Sequence, residues 1–268
     1  MTIDALNPST RRFDIGGVLG AMGTAIGKNP VTFFGLSLLL LGVPTAILGG
    51  VQIFTMGEAL RPGYQPRDWG EISRIMAMSG VALLVSLVTT NILQAGLTFG
   101  VVSSLRGRTA SFQECLSVGL RYFLPALLIG ICVGIGVFFG FLLLIVPGVI
   151  LALGWCVAMP IAVTENKGVF ESIGRSWQLT NGYKGQIFVL ALIYIGISIV
   201  FQMLAGAIGV AFMAVSMQAY MLALQVVIAP LLASVAAVFQ SAGAASIYYE
   251  LRSVKEGVGA EELASVFA

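Results

Sequence analysis

From Tyr122 to Thr164, and again from Gln186 to Tyr249, no residue carries a charge, and a chain with two such stretches has few ways to fold. In hydrocarbon every backbone N–H and C=O must be satisfied within the protein, which leaves helices or closed barrels. Continuous apolar runs without period-two alternation select helices. The composition agrees: 58% of the residues are apolar and 10% charged, against roughly 45 to 50% and 25% in soluble domains, so a water-exposed surface could not be covered. The expected class is an all-α polytopic membrane helical bundle, a single integral membrane domain over 1–268.

Hydropathy over a window of about 19 residues places the spans. The first runs from about Val31 to Phe54, opening after Pro30, which suits a helix start. Pro62, Gly63 and Pro66 interrupt the chain before a second helix from about Ile72 to Leu105. That helix exceeds what a hydrocarbon layer of about 30 Å needs, so it tilts or projects. The third span is about Tyr122 to Ile145 and the fourth about Pro147 to Val163, joined by a tight hairpin at Val146-Pro147-Gly148. The last apolar stretch could hold two long helices or three short ones. Two are preferred, at about Gly185 to Ala205 and Met217 to Leu251, the latter kinked near Pro230. Gly206, Gly209, Ser216 and Gln218 mark the connection.

About six transmembrane helices place both termini on one side. Arg11, Arg12, Lys28, Arg106, Arg108, Arg121, Lys167, Arg175, Lys184, Arg252 and Lys255 then share that side, and only Arg61, Arg67 and Arg74 face the other. Basic residues mark the cytoplasmic face. The eleven are therefore expected inside, with both termini cytoplasmic and a short tail over 253–268. The N-terminus has no apolar core followed by a small-residue cleavage site and is expected to be retained.

Before each odd-numbered span lies a short segment with apolar residues at helical spacing. Ile15, Val18, Leu19, Met22 and Ile26 precede the first; Phe112, Cys115, Leu116, Gly119 and Phe123 the third; Phe170, Ile173 and Trp177 the fifth. Polar residues opposite them give three cytoplasmic-side interfacial amphipathic helices. Ser111 and Glu114 match a capping box, and Glu171 and Arg175 are spaced as an i,i+4 ion pair. The chain thus divides into candidate units 13–105, 111–163 and 168–252, although inner loops of membrane proteins are often amphipathic without any repeat.

Function classes are narrowed by what is missing. The chain has no His, so Ser-His and Cys-His dyads and His metal sites are excluded. Its aspartates, Asp4, Asp14 and Asp68, fall outside the spans. Cys115, Cys132 and Cys156 lack motif spacing and are expected as free thiols. No catalytic, metal or cofactor-binding residue is expected, and no cofactor. With a net charge of +2, nucleic acid is not an expected partner; membrane lipids are, with a protein partner or a homo-oligomer as further candidates. Asn91, Gln94, Gln202, Gln218, Gln225 and Gln240 lie within the spans, where bonds between helices are the simplest use for them. Gly130 and Gly134 form one small-residue pair and Gly136 and Gly140 another, on different faces. They predict that the third span is central, so that Gly134→Leu should destabilise the fold; dimerisation through one groove is the other reading.

Pro147 and Gly148 ahead of an apolar span, Pro160 and Glu165 at its inner end, Ser176, Leu179, Thr180 and Gly182 on the following helix, and Tyr248, Tyr249 and Arg252 at the exit make a recognisable pattern. It resembles the bacterial multipass family known as the glycerophosphoryl diester phosphodiesterase membrane domain, together with YciC-like proteins. The sharp part covers about forty residues between 146 and 184. Ser172 departs from the family's usual Ala. Some relatives carry a fused phosphodiesterase domain, for which this chain has neither the length nor a His.

The 164–184 segment is the expected functional motif. Glu165 and Ser176 can hydrogen-bond across the turn, Trp177 suits the headgroup level, and Arg175 and Lys184 suit anionic phosphates. Alternatively Glu165 only pins the helix. The expected function is non-enzymatic: a structural, regulatory or assembly role through lipid or partner binding, with a lipid or small-solute transporter or scramblase as the alternative.

Overall fold

The computed structural model describes residues 13–56, 63, 65, 68–213 and 216–257. They form an all-α polytopic bundle with no strand among them. Six helical spans are long and apolar enough to cross a membrane: Pro30–Thr55, Trp69–Leu105, Phe123–Leu143, Ile145–Glu165, Lys184–Ile208 and Ala219–Glu256. Three short helices precede the odd-numbered spans: α1 (Ile15–Lys28), α5 (Phe112–Arg121) and α9 (Val169–Thr180). Asp14 caps α1 by accepting the N–H groups of Gly16 and Gly17. Ser111 and Glu114 close a reciprocal capping box on α5, as their spacing predicts.

The spans are less regular than their hydropathy suggests. The first consists of α2 (Pro30–Ser37), a π-helical turn at Leu38–Gly42 and α3 (Val43–Met56). The last consists of α11 (Met217–Leu222), a π turn at Ala223–Ile228 and α12 (Ala229–Glu256). Each π turn ends two residues before a proline, Pro44 or Pro230. A proline ring clashes with the carbonyl four residues back and donates nothing to it, and widening the turn relieves the clash without leaving the helix. The two spans pack closely there. Ser37 Oγ donates to the Ser234 carbonyl at 2.7 Å, and a Cβ on Gly42 would lie 2.7 Å from Ser234 Oγ.

The second span, α4 (Trp69–Leu105), changes character along its length. Its first half faces lipid, with Met76, Leu83 and Leu84 each more than half exposed. From Asn91 onward almost every residue is buried, and Leu93, Leu97 and Val101 are completely enclosed. At 1.5 Å per residue α4 is about 55 Å long, well beyond a hydrocarbon layer of about 30 Å. The enclosed half is the hub of the fold. Leu97, Val101, Phe33, Leu36 and Cys115 belong to one buried cluster with Val238 and Ala242 of α12. Helix α5 runs back along α4: a Cβ on Gly96 would meet the Cys115 carbonyl at 2.5 Å, and one on Gly119 would collide with the Ile92 carbonyl.

The third span, α6 (Phe123–Leu143), is therefore not the central one. A Cβ on Gly134 would meet nothing within 4 Å and one on Gly130 only the Asn91 side chain of α4 at 3.6 Å, so neither glycine is needed for a close helix approach. Gly136 and Gly140 are used, by the next helix, α7 (Ile145–Trp155): Trp155 covers Gly136, and Gly148 and Leu151 approach Gly140. Their hairpin turns at Leu144, held extended at φ −165° and ψ 154°, earlier than expected. Pro147 sits in the first turn of α7, where its missing N–H costs nothing. The fifth span, α10 (Lys184–Met213), is longer than expected and takes in Gly206 and Gly209, while Ser216 caps α11. Helix α12 continues to Glu256, so 253–256 are helix rather than tail; the rest of the expected tail after Gly257 lies outside the described residues, as do Arg11, Arg12, Arg61 and Arg67.

Candidate functional site at one end of the bundle

Pro160 begins the construction of this site. Its ring cannot accompany an unbroken helix, and the fourth span breaks at Cys156–Val157 into α7 and α8 (Ala158–Glu165). A helix that ends leaves its last carbonyls without partners. The Gly154 carbonyl is one of them, and two hydroxyls of α9 supply it: Ser176 Oγ donates at 2.8 Å and Thr180 Oγ1 at 3.1 Å. Gly154 has no side chain to hold α9 away, and a Cβ there would collide with the Trp177 ring. Leu179, almost fully buried beside Val157 and Ile187, completes the seat. Gly182, at φ +90°, then turns the chain into α10, a conformation that favours glycine.

Glu165 ends α8 and is the centre of a charged network. Lys167 Nζ lies 2.9 Å from its Oε2, Arg175 Nε 3.6 Å from the same atom and Arg252 Nε 4.0 Å from Oε1. Tyr248 donates its phenol to Oε1 at 3.0 Å and receives Arg252 Nη1 at 3.2 Å. Glu256 pairs with Arg175 and, at 2.8 Å, with Arg252. Three cations thus meet two carboxylates, leaving these five groups with one net positive charge. Lys255 Nζ donates to the carbonyls of Gln178 and Asn181 at 2.7 and 2.8 Å, a cation at the negative end of α9.

Two expected contacts are different in the structure. Ser176 bonds to Gly154 rather than to Glu165, because the broken helix presents a carbonyl directly under it. Arg175 pairs with Glu165 and Glu256 rather than with Glu171, since those carboxylates flank it on the sheltered side of α9. Gly154, Lys255 and Glu256 carry weight that the sequence did not single out. Gly154 is one glycine among many in apolar helix, and only the Pro160 break ahead of it offers a signal.

The site brings together Pro160, Glu165, Arg175, Ser176, Trp177, Leu179, Thr180, Gly182, Tyr248 and Arg252, while Pro147 and Gly148 lie at the opposite end of α7, in the hairpin. On the outer side of α9, Phe170 is 79% exposed and Trp177 37%, and Lys184 Nζ sits 3.3 Å over the Trp177 ring. Helix α9 thus buries Ser172, Ser176 and Thr180 along with Leu179, and exposes its two aromatic residues alongside Glu171 and Gln178.

This corner belongs to one end of the bundle. Lys28 Nζ donates to the Ser104 carbonyl at 3.3 Å, Asn29 to the Ala110 carbonyl at 2.6 Å, and Tyr122 to Asn166 at 2.7 Å. Phe13 packs on Tyr183 with ring centroids 5.7 Å apart. All three short helices therefore meet the same ends of the spans. Among the described residues no group of three or more His, Cys, Asp or Glu comes together that could hold a metal ion. No family model, no curated protein and no solved structure matches this multipass membrane protein.

Proposed function

We propose that this multipass protein is a non-enzymatic component of a bacterial inner membrane, with both termini cytoplasmic, and that it serves a structural, regulatory or assembly role by engaging anionic lipid headgroups through the layer built on α9. The observation that carries this reading is the outer face of α9, where Phe170 and Trp177 are exposed beside Lys184, together with Glu171 and Gln178, while Ser172, Ser176 and Thr180 are spent on the protein interior. Aromatic rings with a basic neighbour suit the headgroup level, where each cation near an anionic surface contributes about 1 kcal/mol. The surplus positive charge of the Glu165 network supports the same assignment. The resemblance of the Pro160 to Gly182 segment to the glycerophosphoryl diester phosphodiesterase membrane domain family is in keeping with a membrane module that has no chemistry of its own.

Extraction in native lipid followed by mass spectrometry tests the reading. Anionic phospholipid should be enriched around the protein and fall when Lys184→Gln and Trp177→Ala are combined; an unchanged lipid profile would remove the proposal. The exposed spans also suit a lipid or small-solute transporter, and a scrambling assay in liposomes separates the two. A scaffold leaves the rate at that of empty vesicles.

A further inference from the structure

Helix α10 carries an exposed amide, Gln202, within its apolar span Lys184–Ile208. Gln202 lies eighteen residues beyond Lys184, about 27 Å along the helix, within a hydrocarbon layer about 30 Å thick. Its side chain is exposed and hydrogen-bonds to none of the described residues. Ile195 and Ile199, each about half exposed, lie within about 60° of Gln202 around the helix. So does Gly206, over which a Cβ would meet nothing within 4 Å. Buried Ala205 marks where this face meets the protein.

We infer that this face of α10 is the contact between two copies of the chain, joined by hydrogen bonds between their Gln202 amides. An amide in hydrocarbon needs both a donor and an acceptor. Acyl chains offer neither, and lipid ester groups only accept. A second Gln202 offers both. Two copies inserted in the same direction are related by a two-fold axis along the membrane normal, which brings each residue opposite itself at the same depth. Self-pairing at Gln202 is then a consequence of symmetry, and Gly206 one turn away lets the backbones approach.

Cysteine cross-linking in vesicles of phosphatidylethanolamine and phosphatidylglycerol tests this, in a background carrying Cys115→Ala, Cys132→Ala and Cys156→Ala. Ile195→Cys, two turns from Gln202 on the same face and leaving the amide in place, should form a disulfide-linked dimer on oxidation, while Val200→Cys, on the opposite face and 57% exposed in the wild type, should not. Equal or better cross-linking at 200, or none at 195, overturns the assignment. In the wild-type background Gln202→Leu should weaken dimerisation roughly tenfold, as the loss of two membrane hydrogen bonds of about 0.6 kcal/mol each implies, without lowering the thermal stability of the monomer. Gln202→Asn should retain part of the affinity. A dimer unaffected by Gln202→Leu overturns the proposal, and none of these outcomes depends on lipid binding at α9.

Discussion

Tyr248 donates its phenol to Glu165 across 3.0 Å, tying the end of the last span to the end of the fourth, 83 residues away in sequence. Loss of either residue would leave the other held only by its cations, Lys167 and Arg175 at Glu165 and Arg252 at Tyr248. The Glu165 carboxylate is largely sheltered, and its cationic partners come from α9, α12 and the loop between α8 and α9.

Glu165→Gln should lower stability by about 2 kcal/mol, since hydrogen bonds to charged groups contribute about 1.5 to 3 kcal/mol. Tyr248→Phe should cost less, about 1 kcal/mol. Thermal unfolding in detergent reads both. If Glu165 only pins the helices, loss of cellular function should track the loss of melting temperature; a phenotype at full stability would assign it a direct role.

The glycines make a sharper comparison. Gly96→Ala should destabilise by about 1 to 3 kcal/mol or more, because the new methyl meets the Cys115 backbone, which cannot swing aside. Gly134→Ala should be neutral or stabilising by up to about 1 kcal/mol, since its Cβ enters open space and alanine is the better helix former. Equal melting temperatures for the two variants would contradict the hub assigned to α4.

Removing both donors to Gly154, by Ser176→Ala with Thr180→Val, should cost about 1 to 3 kcal/mol through the buried carbonyl left unpaired. Either single change should cost less, because one hydroxyl remains. Amide exchange along α9 should quicken in the double variant before the spans are affected.

Burial pushes the Cys115 thiol up to about 11 from its usual 9.0, with the neighbouring Glu114 charge adding to the effect. The thiol should stay protonated and resist maleimide at neutral pH until the protein unfolds. An unfolded chain ionises it at lower pH than the folded one, so its contribution to stability is complete below about pH 9 and is lost progressively toward about pH 11. Alkylation of native protein at neutral pH, at a rate matching unfolded protein, would contradict this burial.

Class, span number and three short helices ahead of the odd-numbered spans were legible in the residues, because hydropathy, basic flanks and caps such as Ser111 with Glu114 act over a few turns of one segment. The same local reasoning misplaced the centre of the fold. Gly130 and Gly134 look like a packing surface, yet which glycine is used depends on which helix arrives beside it, and α5 arrives at Gly96 rather than at Gly134. Likewise the sequence marked Glu165, Arg175 and Ser176 as a group but could not pair them. Only the packed structure decides that Ser176 serves the broken end of α7 and Arg175 joins Glu165 to Glu256, because the order of helices around the bundle sets which unsatisfied carbonyl or carboxylate each side chain meets.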